Sequence, residues 1–259
     1  LSWLDRGWQV FDPAPSVAAW VAAARPAALR VAQDPQQRST WLRHGATWFV
    51  GVDALPNDAR GCVADGPPLR CVALQTAQRV TGVGDLHQAQ VSVTYPGYPG
   101  RDPGEGDAAH RFRRDRDGAH LDGLLPLGPA RRRHLVEPHA YILGLPLTEA
   151  APDAAPLVVW EGSHHLIRSM LIRALRDLRP EAWPQVDLTE VYHATRRAVF
   201  ETCPRRVIHS PPGGALLLHR MTIHGVAPWQ PGAKADPSGR MIAYFRPQFS
   251  GFGDYLAVD

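Results

Sequence analysis

The chain has 259 residues, 44% of them hydrophobic, and a formal net charge of +3. That length supports one sizeable core, no apolar run approaches the roughly 18 residues of a membrane span, and so small a charge requires no nucleic acid partner. Residues 1–6 lack the basic-then-apolar layout of a secretory leader. Cys62, Cys71 and Cys203 are odd in number and have no metal-like spacing, so reduced thiols in a cytoplasmic protein are expected. Lys234 is the only lysine among 28 basic residues, so the abundance of arginine reflects composition and carries no function by itself.

Residues 13–31 read as a helix, with Ser16 as its N-cap and Val17, Trp20 and Val21 at helical spacing before Pro26. Residues 48–52 form a strand candidate, and the Pro-, Gly-, Asp- and Asn-rich stretch 55–70 a loop. Residues 86–95 alternate, with Gln88, Gln90, Ser92 and Thr94 on one face and Val91, Val93 and Tyr95 on the other. Such a polar-faced strand suits the wall of a cavity. Residues 96–118 show no periodic apolar face and are expected to be a long loop acting as a lid. Residues 140–147 and 156–160 read as core strands. A helix capped by Ser163 presents Ile167, Leu171, Leu175 and Leu178, and a second starts near Asp187, where Asp-Leu-Thr-Glu190 resembles a capping box. The turn 211–214 leads into strand 215–218, and residues 241–245 make the last strand. Many short strands with peripheral helices predict a mainly β fold with flanking helices, a double-stranded β-helix or cupin-like jelly roll.

The chemistry concentrates in three places. His120 and Asp122 stand two apart, so on a strand both side chains point to one face. His224 follows the strand after the Pro-Pro-Gly-Gly turn. Two imidazoles and one carboxylate on one face of a metal, with the other positions open, suit Fe(II). Arg240 begins the last strand, and a guanidinium is the natural partner of a carboxylate. It lies sixteen positions after His224 (240 − 224), with an insertion from Pro228 to Pro237 between them, and Arg246 is the alternative.

With these residues in order, the sequence resembles the phytanoyl-CoA dioxygenase-type Fe(II)/2-oxoglutarate oxygenases over roughly residues 85–248. The resemblance is carried by His120-Leu-Asp122, by Leu157-Val-Val-Trp-Glu-Gly-Ser-His164, by Gly213-Gly-Ala-Leu-Leu-Leu-His219 running into His224-Gly225, and by Arg240. It implies that His120, Asp122 and His224 hold Fe(II), that Arg240 pairs with the far carboxylate of 2-oxoglutarate, and that Gln90 and Thr94 face the co-substrate or substrate. It also implies hydroxylation of a small molecule with succinate and CO2 as co-products. The chain is then one oxygenase-like unit over 1–259, in which 1–84 support a catalytic barrel at 85–248. Val226, where many relatives carry a small hydroxyl residue, and Asp153-Ala-Ala-Pro156 in place of Asn-Gly depart from the pattern.

The other histidines and arginines read more plainly. His164 and His165 suit a structural turn, and His219, at an odd offset from His224, suits packing. Arg111–Asp117 and the arginines at 131–133 are expected to be solvated, the alternative being recognition of an anionic substrate. Trp160 and Trp229 suit core or rim positions. Two other functions compete: a cupin-like metalloenzyme that does not use 2-oxoglutarate, and a non-catalytic jelly-roll binding protein.

Overall fold

The structure, a computed structural model, describes residues 2–258. Its strands are β1 (Trp8–Phe11), β2 (Leu42–Arg43), β3 (Trp48–Phe49), β4 (Gln90–Thr94), β5 (Leu124–Leu127), β6 (Arg132–Leu135), β7 (Tyr141–Pro146), β8 (Leu157–Trp160), β9 (Arg205–Ile208), β10 (Ala215–His219), β11 (His224–Val226) and β12 (Arg240–Phe245). Its helices are α1 (Trp3–Arg6), α2 (Pro15–Gln33), α3 (Pro35–Trp41), α4 (Val72–Thr81), α5 (Asp107–Asp115), α6 (Ser163–Leu175), α7 (Thr189–Thr202) and α8 (Phe252–Ala257), with a 3-10 turn at Pro180–Gln185.

Seven strands form one sheet in the order β1-β10-β7-β12-β4-β3-β2. A smaller sheet runs β11-β8-β9, and β5 and β6 make a separate hairpin. All strand pairs are antiparallel. The chain crosses between the two main sheets as it passes from β7 to β8, from β9 to β10, to β11 and to β12. This is the predicted double-stranded β-helix.

The strands at the centre of the large sheet are buried on both faces, so their sequences read as apolar runs although alternation still assigns each residue a side. On β12, Ile242 faces the space between the sheets with Ile142, Leu157, Val159, Leu216 and Leu218, and Tyr244 packs against that group. Met241, Ala243 and Phe245 face the other way, into the large cluster shared with Trp20, Ala24 and Ala28 of α2 and Ala73 and Ala77 of α4. These two helices cover the outer face of the large sheet, α2 against β4 and α4 against β7 and β10. Each fully buried Leu, Ile or Phe contributes about 1.5–3 kcal/mol relative to an exposed one. Small alanines on the helix faces let the helices approach closely, and the Trp20 indole NH donates to the Gly61 carbonyl at 2.6 Å.

Several local expectations need correction. α2 starts at Pro15 with Ala14 as its N-cap, so Ser16 caps nothing. Proline fills the first turn because its missing N–H would be unpaired there anyway. Residues 96–118 are not one unstructured loop, since Asp107–Asp115 form α5, whose Phe112 ring packs 6.4 Å from that of Phe200 on α7. Apolar periodicity missed this helix because it buries no residue fully. α6 is preceded by Gly162 in the left-handed region, and the Ser163 hydroxyl instead accepts from the Ile223 N–H at 2.9 Å. α6 ends at Leu175, leaving Leu178 exposed. Asp187 accepts from the backbone and hydroxyl of Thr189, at 3.0 and 2.6 Å, where α7 begins. All three cysteines are free. Among the described residues, no helix is long and apolar enough to cross a membrane.

Candidate metal centre

His120 lies outside the named strands but bridges to the first residue of β11. Its N–H donates to the His224 carbonyl at 2.9 Å, and the His224 N–H donates back to the His120 carbonyl at 3.1 Å. This exchange sets the two imidazoles side by side, with ring centroids 4.6 Å apart. Asp122, two residues on, points to the same place. One ligand atom from each of His120, Asp122 and His224 falls within 4.8 Å of the others. The predicted triad is therefore assembled in space.

The second nitrogen of each ring fixes its tautomer. Nδ1 of His120 faces the Gly118 carbonyl at 3.0 Å, and Nδ1 of His224 faces the Thr222 carbonyl at 2.9 Å. A carbonyl only accepts, so both Nδ1 atoms carry a proton and Nε2 is the atom of each ring that can bind a metal, at His120 in place of its hydrogen bond to Asp122. The two Nε2 atoms converge on one oxygen, Asp122 Oδ1, at 3.2 and 3.7 Å. Oδ2, the other oxygen, accepts from Arg246 Nη1 at 3.4 Å.

The electrostatics agree with this geometry. Burial pushes the His224 pKa down to about 4, which the Asp122 charge only partly opposes, so that ring is neutral at pH 7. Burial also acts against charge on His120, but the hydrogen bond to Asp122 and its charge outweigh it and raise the pKa. Burial would raise the Asp122 pKa, yet His224, His120 and Arg246 together hold it well below the usual carboxylate range. Two imidazole lone pairs and an ionised carboxylate are a donor set suited to iron.

The triad opens into a cavity of about 160 Å³. Gln90 and Ser92 of β4 line it together with Trp48, Ile142, Leu157, Leu218, Tyr244 and Arg246. The polar face read from the sequence is thus a wall of this space, with the Trp48 indole NH donating to the Ser92 hydroxyl at 3.0 Å. Across the sheet Gln90 pairs with Tyr244, Ser92 with Ile242 and Thr94 with Arg240, three rungs leading inward from the metal end. Thr94 and Arg240 occupy the last rung, and neither lines the cavity. Arg240 reaches the Tyr244 hydroxyl, whose pKa burial raises and Arg240 partly holds down. Arg240 is only 9% exposed, has no carboxylate partner among the described residues, and faces the buried Thr94 hydroxyl, itself without a hydrogen-bond partner. Tyr244 was not singled out by the sequence, although its place four residues after Arg240 puts it on the same inward face.

Gly225 follows His224 because nothing larger fits. A Cβ there would stand 2.2 Å from the Asp117 carbonyl, which accepts from the Val226 N–H at 2.9 Å. Asp117 is itself buried and clamped by Arg205 at 2.7 and 2.9 Å. Gly225→Ala is therefore expected to displace backbone beside a metal ligand, lowering stability by about 1–3 kcal/mol and weakening metal uptake. Chemical denaturation and a metal titration on the same sample check both effects.

The remaining candidates are structural. β10 ends at His219 and a turn separates it from β11, so the offset argument does not apply, but His219 does pack, its ring 6.0 Å from Trp3 and 4.9 Å from His164. His164 is anchored on the Leu4 carbonyl at 2.8 Å. Trp160 is in the core. In and beside the arginine-rich segment Arg101 pairs with Asp107, Arg113 with Glu105 and Arg114 with Asp115, and Arg116 lies over the Phe200 ring at 5.2 Å. Arg132 pairs with Asp187 and Glu190.

No protein-family profile matches this chain, and no curated protein matches it in sequence. Solved structures do align with it at low identity. The non-heme alpha ketoglutarate dependent carbocyclase SnoK from nogalamycin biosynthesis is 16% identical, over 96% of this chain and 85% of its own, with a TM-score of 0.48. EctD from S. alaskensis, solved with 2-oxoglutarate and 5-hydroxyectoine, is 17% identical over 94% and 73%, with a TM-score of 0.47. AviO1 from Streptomyces viridochromogenes Tue57 is 15% identical over 95% and 91%, with a TM-score of 0.46.

Proposed function

We propose that this chain is an Fe(II)- and 2-oxoglutarate-dependent oxygenase that oxidises a small molecule, with hydroxylation as the expected outcome. The observation that carries the reading is the triad itself, two imidazoles of fixed tautomer and one ionised carboxylate converging at the edge of a cavity. Iron with 2-oxoglutarate and dioxygen supplies oxidation of a C–H bond, with succinate and CO2 as co-products. His120, Asp122 and His224 would hold the iron, leaving the cavity side of the metal free.

The cavity is smaller than the roughly 300–1,000 Å³ of a drug-sized ligand site, which suits a compact co-substrate. Ile142, Leu157 and Leu218 give the cavity apolar walls that would limit water beside the reacting atoms. Tyr244 supplies a polar group to its wall, and Arg240, outside the lining, reaches the Tyr244 hydroxyl. The Tyr244 hydroxyl, backed by Arg240, would meet the distal carboxylate of 2-oxoglutarate, and Thr94, on the Arg240 rung, holds a hydroxyl without a hydrogen-bond partner. A buried guanidinium without a carboxylate partner favours this reading over a metalloenzyme that needs no anionic co-substrate. The motif resemblance to phytanoyl-CoA dioxygenase-type enzymes agrees with it, as does a small-molecule partner.

The test is succinate formation from 2-oxoglutarate by the Fe(II)-loaded protein. Arg240→Ala is expected to raise the KM for 2-oxoglutarate about 10- to 100-fold, the loss of one charge-assisted contact of about 1.5–3 kcal/mol, with Fe(II) binding unchanged. An unchanged KM would remove Arg240 from the co-substrate site.

A further inference from the structure

A second cavity of about 300 Å³ adjoins the metal cavity, and Val52 and Arg246 line both. Its other walls are Asp53, His87, Glu137, His139 and Gln248. These residues come from the segments flanking β3, β4, β7 and β12 at their Arg246 end, and Arg246 itself meets Asp122. The floor is tied directly to Asp122. Gly123, the next residue, accepts from the N–H groups of Val136 and Glu137, and a Cβ on it would stand 2.2 Å from the Glu137 carbonyl.

The lining has a definite chemistry. Glu137 spends Oε2 on His139 at 3.1 Å, and Asp53 spends Oδ1 on His87 at 3.5 Å. Oε1 and Oδ2 make no hydrogen bond among the described residues, so each carboxylate keeps an acceptor for a ligand. His139 is fixed from its other side by the Arg246 carbonyl at 3.0 Å. The Arg246 charge is opposed by Asp122. Val52 is the only apolar residue in the wall. An acyl chain would strip water from two acids without replacing its hydrogen bonds, and an anion would face both of them.

We propose that this second cavity is the substrate subsite and that it takes the amino- or hydroxyl-bearing, hydrogen-bond-donating part of a small polar molecule. The metal chemistry of that substrate rests on the oxygenase reading, whereas its binding rests on the lining residues alone. An anionic substrate, the alternative that the arginine-rich segment raised, is disfavoured because an anion in this cavity would face Asp53 and Glu137.

The experiment is saturation-transfer NMR with three carbocycles of matched size and different charge, 2-deoxystreptamine, myo-inositol and quinate. It is run on the protein loaded with Zn(II) and 2-oxoglutarate, and again on metal-free protein. The diamine is expected to bind best, myo-inositol more weakly and quinate not at all. Asp53→Asn and Glu137→Gln should each weaken the diamine about tenfold. Asparagine accepts the positive φ of Asp53, and circular dichroism checks that both variants fold. Preference for quinate, equal signals from all three, a diamine signal that survives both substitutions together, or no signal from any probe at millimolar concentration would overturn the proposal. Failure of the wild type to take up Zn(II) and 2-oxoglutarate would strike the oxygenase reading instead, and the metal-free arm would still report on the subsite.

Discussion

Asp122→Ala is expected to abolish turnover and to weaken Fe(II) binding by more than about 100-fold. Loss of a residue that merely supports a metal ligand costs roughly 10- to 100-fold, and Asp122 does more. Its Oδ1 is the point on which both imidazole Nε2 atoms converge, and its charge is the only negative one in the triad. Its removal also strands Arg246, whose side chain is 16% exposed and whose cation would then face the space meant for the metal. Asp122→Asn keeps the shape but loses the charge and should fail nearly as completely. Asp122→Glu keeps the charge on a longer arm and should retain weak binding. Isothermal titration with Fe(II) under argon separates these cases, and near-wild-type affinity in Asp122→Ala would contradict the assignment.

The second large effect is on stability against pH. Burial is the first cause that holds His44, His164 and His224 at pKa values of about 4, below the ordinary 6.5. Between those limits the unfolded chain binds protons at these rings that the folded chain does not. Stability from these groups is therefore complete above about pH 6.5 and is lost as pH falls toward 4. His120 runs the other way, because its pKa is raised. The three lowered rings outweigh it, and the net loss is on the order of several kcal/mol. Urea denaturation of metal-free protein at pH 7.5, 6, 5 and 4.5 should show a falling midpoint with an unchanged slope. A flat profile would mean that these rings are not buried neutral in the folded state. Metal uptake should decline over the same range, since His224 must be neutral to bind.

Much of this was legible in the sequence because the signals were short-ranged. His120-x-Asp122 reads directly from the two-residue period of extended chain, whereas the close approach of Gly225 to Asp117 emerges only in the fold. The alternation of Gln90, Ser92 and Thr94 marks a polar face, of which Gln90 and Ser92 line the cavity. What stayed hidden depends on contacts distant in sequence. α5 buries no residue fully, so periodicity could not reveal it. Tyr244 looks like an ordinary core aromatic until β12 is laid beside β4, where it faces Gln90 and reaches Arg240. Arg246 was weighed as a co-substrate partner, yet its side chain meets Asp122, a contact spanning the length of the barrel sequence. The second cavity draws residues from four separate segments, none with a motif of its own.

On the proposed reading the triad binds iron and the cavity beside it takes a keto acid. The most direct measurement is an anaerobic absorbance titration of metal-free protein, first with Fe(II) and then with 2-oxoglutarate. The expected result is a visible charge-transfer band that grows only after the keto acid is added, is absent in Asp122→Ala and needs more 2-oxoglutarate in Arg240→Ala. Tightly bound iron with no band at saturating 2-oxoglutarate would contradict that reading.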